Sequence, residues 1–194
     1  TSFGNAIRNQ PQFPRAHFNL GMSYLRMGNK SAAIKSLKKA LEQDASLDRA
    51  YYNLGEIYLD SKNYSEALHY FSKDRELRPD NPDTLFKLGE TYHEMKSYKN
   101  AADMYQRAID KDPQYYQAIF NLGLLKHVNR DYNGAIEMFK QAASIKGNDY
   151  AAMYQIGKAY QDAGDENSAI EYYQKALNIN PSYAKAYINL GAIY

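Results

Sequence analysis

A glycine recurs every 34 residues along this chain, and a similar short phrase precedes it each time. The six glycines are Gly21, Gly55, Gly89, Gly123, Gly157 and Gly191. A strict period of this length indicates stacked copies of one supersecondary unit rather than a single globular core. The period argues against catalysis and directs the search for function to a surface that successive units share.

The composition excludes several classes of function. A net charge of +2 on 194 residues provides no field that would attract nucleic acid or an acidic membrane surface. The absence of cysteine excludes disulfides and thiolate metal sites, and no apolar run is long enough to span a membrane. The chain has no glycine-rich phosphate loop, nucleophile elbow or zinc-binding helix motif. We therefore expect no enzyme, no cofactor, no metal site, no nucleic-acid partner and no membrane insertion.

Residues 48–81 show the pattern of one copy. Apolar residues one helical turn apart predict a first helix, and a second apolar stripe predicts another helix that Pro79 ends. The first stripe is Tyr51, Leu54, Gly55 and Tyr58, and the second is Ala67, Leu68, Phe71 and Leu77. Two helices joined by about four residues must pack antiparallel. Glycine and alanine allow the two backbones to approach, and a bulky residue fills the adjacent gap.

The same residue types return in register over five copies. The twentieth position is always alanine, at Ala33, Ala67, Ala101, Ala135 and Ala169. The twenty-fourth is bulky, at Leu37, Phe71, Tyr105, Phe139 and Tyr173. In this register the chain resembles the tetratricopeptide repeat family. The resemblance implies an all-α fold, a right-handed α-solenoid (superhelix) of antiparallel helix pairs, with complete units at 14–47, 48–81, 82–115, 116–149 and 150–183.

Each end of the array carries part of a further unit. Residues 1–13, with Phe3, Ala6 and Pro11, match the tail of a second helix, and residues 184–194 match a first helix. We expect residues 1–194 to form a single array that is a fragment of a longer one. The two partial units are complementary, so molecules could associate head to tail. The alternative is that each end packs only on its own neighbour.

In the family, a stripe of the first helix lines the concave surface of the superhelix. The resemblance therefore implies a peptide-binding groove formed by the second, fifth, sixth, ninth, twelfth and thirteenth positions of each unit. The candidate groove residues are Arg15, Phe18, Asn19, Arg49, Tyr52, Asn53, Glu56, Asp60, Phe86, Lys87, Glu90, His93, Glu94, Phe120, Asn121, His127, Tyr154, Gln155 and Asn189.

The sixth position is a carboxamide in every copy but the one that carries Lys87. A carboxamide can pair with both the N–H and the C=O of a peptide group, so a row of them could bind an extended backbone of any sequence. The row is similar to the asparagine ladder of family members that bind extended polypeptide. The alternative is that asparagine is merely common at this position. The aromatic fifth position has two similar interpretations, as anchors for a ligand or as packing against the neighbouring helix.

Charge is uneven along the candidate groove. Its start carries Arg15, Arg26 and Arg49, and the next part carries Glu56, Asp60, Glu90 and Glu94. The acidic residues either solvate the surface or select a basic segment of a partner. The fifth position is never the lysine with which chaperone-binding members of the family grip a C-terminal carboxylate, so capture of a chaperone tail is not expected.

Four residues raise separate questions. His93 and His127 share the twelfth position of successive copies, but packed helices about 8–10 Å apart make a shared metal ion geometrically marginal. Asp74 stands where a small residue is expected, so we predict a cationic or hydrogen-bonding partner for it, or a local shift of the helix. Lys126 replaces a packing tyrosine, and its amine can reach solvent while its stem stays buried.

These patterns predict a non-catalytic scaffold that binds an extended polypeptide segment in its groove, with a protein or peptide as its partner. One alternative is a substrate-recruiting or regulatory region of a larger enzyme or of a secretion or assembly complex. Another is an array that associates with itself through its ends. A cytoplasmic location is the default, and the lack of cysteine leaves the periplasm open.

Overall fold

A computed structural model describes residues 13–194, and all regular structure in that range is helical. The chain forms two compact units, residues 1–97 and 98–194. The first contains α1 (Pro14–Arg26), α2 (Lys30–Gln43), α3 (Asp48–Asp60), α4 (Tyr64–Leu77) and α5 (Pro82–Glu94). The second contains α6 (Tyr98–Lys111), α7 (Tyr116–Val128), α8 (Tyr132–Ile145), α9 (Tyr150–Asp162), α10 (Glu166–Ile179) and α11 (Ala184–Ile193).

Within each unit, every helix packs against the helix that follows it in sequence, which confirms the expected all-α fold of helix pairs. The helix tail expected at residues 1–13, with Phe3, Ala6 and Pro11, lies outside the described residues except for Phe13. No helix in the described part of the chain is both long and apolar enough to cross a membrane.

Glycine at the eighth position of a copy is required by the bulky residue at the twenty-fourth. A Cβ on Gly55 of α3 would lie 2.6 Å from Cδ1 of Phe71 in α4. A Cβ on Gly123 of α7 would lie 2.8 Å from Cε1 of Phe139 in α8. Both rings are fully buried, so neither can move away without disturbing the packed interior. The prediction that glycine allows the two helices to approach is confirmed.

Two periodic features form the turn before each second helix. The fifteenth residue of a copy has a positive φ, at Gly28, Lys62, Lys96, Arg130 and Gly164. In four of these turns the next residue accepts a backbone N–H of the following helix, at Asn29, Asn63, Asp131 and Asp165. Such side chains satisfy donors that a helix start would otherwise leave unpaired. The left-handed turn escapes sequence reasoning because three of its five residues are not glycine.

Lys126 of α7 confirms the expectation for its position. Its side chain is 35 % exposed, and Nζ lies 3.0 Å from Oδ2 of Asp131, the residue that caps α8. The amine therefore reaches the surface and links α7 to the start of the next helix.

Candidate functional site

Three adjoining cavities lie along α1, α3 and α5 of the first unit. The largest, about 460 Å³ and hereafter the arginine cavity, is lined by Phe18, Asn19, Met22, Arg26, Arg49, Tyr52, Asn53, Arg78, Asn81 and Asp83. A cavity of about 330 Å³ is lined by Arg15, Phe18, Asn19, Leu47, Asp48 and Arg49. A third, of about 250 Å³, is lined by Leu25, Lys30, Asn53, Glu56, Ile57, Leu59, Asp60 and Lys87. The cavities share walls at Phe18, Asn19, Arg49 and Asn53, so they form a continuous row.

Arg78 is held in the wall of the arginine cavity by two carboxylates. Its Nε and Nη2 donate to Oδ1 of Asp74 at 3.0 and 2.7 Å, and Nε lies 3.0 Å from Oδ2 of Asp48. The guanidinium lies 5.9 Å from the centre of the Tyr52 ring. Asp74 is fully buried, and its Oδ2 accepts a hydrogen bond from the hydroxyl of Thr84. The predicted partners of Asp74 are therefore confirmed.

Sequence reasoning missed Arg78 and Asn81 as lining residues because they lie outside the first helices that it considered. A signal was present in Asp74, which stands four residues before Arg78 and hence on the same face of α4 as the end of that helix.

The acidic candidates of the first unit all have partners. Glu56 lies 3.7 Å and Glu90 2.9 Å from Nζ of Lys87, Asp60 lies 3.0 Å from Nζ of Lys30, and Glu94 accepts a hydrogen bond from Tyr64 at 3.3 Å. Burial raises the pKa of Glu56, and the Lys87 ammonium opposes that shift. His93 is exposed, with Nδ1 4.0 Å from Glu94. These pairs favour the interpretation that the acidic residues solvate the surface.

Two arginines of the arginine cavity differ from these paired groups. Arg26 and Arg49 are exposed, and within residues 13–194 neither guanidinium has a carboxylate oxygen within 4.0 Å. Their positive charges are therefore not compensated by a salt bridge in the described part of the chain.

The aromatic fifth positions are partly committed to packing. Phe86 is buried, and the four other rings, Phe18, Tyr52, Phe120 and Tyr154, are half-buried. The Tyr52 ring lies 5.7 Å from that of Phe71, edge to face, and Phe120 lies 5.3 Å from Phe139 in the same manner. Burial raises the pKa of Tyr52, and the carboxylate of Glu56 adds to the rise. Each half-buried ring therefore supports the core and still has surface for a ligand.

Carboxamides at the sixth position also make internal hydrogen bonds. Asn189 donates to the hydroxyls of Tyr173 at 2.9 Å and Tyr154 at 3.3 Å. Asn121 donates to Tyr105 at 3.5 Å, and Asn53 donates to the backbone oxygen of Arg49 at 2.6 Å. Because a carboxamide has two N–H groups and an acceptor oxygen, these bonds do not use the acceptor. Asn19 is exposed and Gln155 is half-buried.

His127 is engaged within the second unit. Its Nε2 lies 2.8 Å from Oδ2 of Asp162, and its ring centre lies 5.6 Å from that of Tyr132. Among residues 13–194, no three His, Asp or Glu side chains are grouped so that they could hold a metal ion.

Comparisons with known proteins agree on one fold. Models of the tetratricopeptide repeat match residues 14–46, 46–114, 86–152 and 150–183. No curated protein matches the sequence.

Solved structures include MamA, at 27% identity and a TM-score of 0.82 over 89% of this chain and 94% of that one. YrrB, described as a TPR protein with an unusual peptide-binding site, has 24% identity and a TM-score of 0.85 over 97% of both chains. PilF of Pseudomonas aeruginosa has 18% identity and a TM-score of 0.80 over 99% of this chain and 87% of that one.

Proposed function

Because the chain belongs to the tetratricopeptide repeat family, we propose that it is a protein-interaction scaffold that binds an extended polypeptide segment along α1, α3 and α5. Proteins built from this repeat are generally non-catalytic scaffolds. YrrB, which shares the fold, is described as having a peptide-binding site.

The continuous row of three cavities carries the proposal. Asn19 and Asn53 line the arginine cavity, and each also lines one of its neighbours. Their amide oxygens can accept hydrogen bonds from a ligand backbone, while Phe18 and Tyr52 offer apolar surface to its side chains. Each such hydrogen bond contributes about 0.5–1.5 kcal/mol, so useful affinity needs several of them together with apolar contacts. By repetition of the same positions, the proposal extends to Phe120, Asn121, Tyr154, Gln155 and Asn189 in the second unit.

A display library of random linear 12-residue peptides (about that length spans several residues on each side of one cavity) tests the proposal. The wild-type chain should enrich a pool of peptides. The N19A/N53A variant should retain that pool about tenfold less well, because two hydrogen-bonding amides are lost. The control N167A/N178A removes two exposed asparagines of α10 and should behave as the wild type.

Two results would contradict the proposal. One is the absence of any enrichment above beads without protein. The other is equal retention of the pool by all three proteins, which would place the binding site away from α1 and α3.

A further inference from the structure

We propose that the arginine cavity recognises an aspartate or glutamate side chain within the bound segment, an inference that rests on the proposed function. Three guanidinium groups line this cavity, from Arg26, Arg49 and Arg78, against the one carboxylate of Asp83. A cavity with this excess of positive charge favours a negatively charged group, and the carboxylate is the anionic group that a peptide side chain offers.

The three arginines contribute differently. Arg26 and Arg49 supply net positive charge, because neither forms a salt bridge within the described residues. Arg78 supplies fixed geometry, because Asp74 and Asp48 hold it in place. Its hydrogen bonds to Asp74 use two of its five N–H groups. An arginine that is already oriented loses less side-chain entropy when it donates to a ligand.

The residues that hold Arg78 are peculiar to this copy of the repeat. The residues at the position of Arg78 in the other copies are Asp44, Asp112, Lys146 and Asn180. Asp74 and Thr84 likewise occupy positions that are alanine in the other copies. The departures of this copy therefore meet at one cavity, and together they place a guanidinium in its wall.

The ligand carboxylate belongs to a side chain because the cavity is open at two sides. It shares Phe18, Asn19 and Arg49 with one neighbouring cavity and Asn53 with the other. A segment can therefore pass through it in both directions, whereas a chain terminus would occupy only one side. In the third cavity, Glu56 and Asp60 already pair with Lys87 and Lys30, so no basic residue is required beside the acidic one.

The experiment uses the library described above, followed by synthetic peptides capped by an acetyl group and an amide. Peptides enriched by the wild-type chain should share one aspartate or glutamate next to an apolar residue. Changing that residue to asparagine or glutamine should weaken binding to the wild type about tenfold. In R26Q/R49Q the same change should have less than about a twofold effect. Added salt should weaken binding of the acidic peptide more than that of its amide counterpart.

The control variant R107Q/R130Q removes the same total charge from two exposed residues of the second unit. It should bind the acidic peptide as the wild type does, and all variants should melt at similar temperatures because the substituted side chains are exposed.

Each other outcome overturns the inference. A pool without a shared acidic position, but still lost in N19A/N53A, would leave the proposed function standing and refute acid recognition. An acidic preference unchanged in R26Q/R49Q would place the acid elsewhere. Binding of free-acid peptides but not of amidated ones would indicate a terminal carboxylate instead. No enriched pool at all would refute the proposed function together with this inference.

Discussion

The hydroxyl of Thr84 donates a hydrogen bond to the buried carboxylate of Asp74, at two positions that are both alanine in every other copy. The corresponding alanine pairs are Ala40 and Ala50, Ala108 and Ala118, Ala142 and Ala152, and Ala176 and Ala186, all fully buried. A polar pair has thus replaced an apolar contact between a second helix and the next first helix. The replacement is satisfied internally, since Arg78 binds the other carboxylate oxygen.

Asp74→Ala should lower the free energy of unfolding by about 2 kcal/mol, because it leaves the buried Thr84 hydroxyl without its acceptor. The double variant D74A/T84A restores the alanine pair of the other copies and should recover most of that loss. Urea denaturation of both variants measures the difference. A single variant more stable than the wild type would show that the pair is not satisfied in solution.

Gly55→Ala should destabilise the chain by about 1–3 kcal/mol, because the new methyl group would overlap the buried ring of Phe71. Gly191 is the matched control, since a Cβ there would meet nothing within 4 Å. Gly191→Ala should be neutral or add up to about 1 kcal/mol through helix propensity. Thermal unfolding distinguishes the two, and equal effects would contradict the close approach of α3 and α4.

Lys62→Gly and Arg130→Gly should each stabilise the chain by about 0.5–1 kcal/mol. Both residues have a positive φ, 58° and 63°, which strains a side chain with a Cβ and suits glycine. Lys35→Gly, within α2, should instead cost about 1 kcal/mol because its backbone is helical. Urea midpoints of the three variants give the comparison, and a loss of stability in the first two would contradict the left-handed turn.

Acid should destabilise the wild-type chain more than the variant D131N/D165N. A hydrogen bond from Lys126 and then one from the Gly134 backbone hold the pKa of Asp131 below its ordinary value of 3.8. The Ser168 hydroxyl and backbone N–H do the same for Asp165.

Because these pKa values are lowered by folding, the stabilisation is present above the ordinary pKa and is lost as the pH falls below it. Asparagine, the cap in the first two copies at Asn29 and Asn63, accepts the same bonds without titrating. Urea midpoints at about pH 5 and about pH 2.5 measure the effect, with D103N as the control for an exposed aspartate. Equal acid sensitivity of the variant and the wild type would contradict the prediction.

Much of the fold could be predicted from the sequence because its signals are local and repeated. The 34-residue period, the glycine opposite a bulky residue and the end of α4 before Pro79 all depend on residues within one copy. Gly55 and Phe71 are 16 residues apart on neighbouring helices of one pair, and the helical period alone places them on facing sides. The polar stripe that includes Asn19 and Asn53 follows from the same period.

The electrostatics of the candidate site were decided by tertiary structure. Glu56 and Lys87 lie 31 residues apart, as do other pairs between copies at similar separations, and their contact depends on how one copy stacks on the next. The sequence by itself determined the repeat, its helices and the face that carries polar side chains. Which charges are neutralised and which remain free could be learned only from distances between copies, because the interaction of two charges depends on their separation and on the solvent around them. For that reason Glu56 and Asp60 are paired, Arg78 is fixed by Asp74, and Arg26 and Arg49 keep their charge at the same surface.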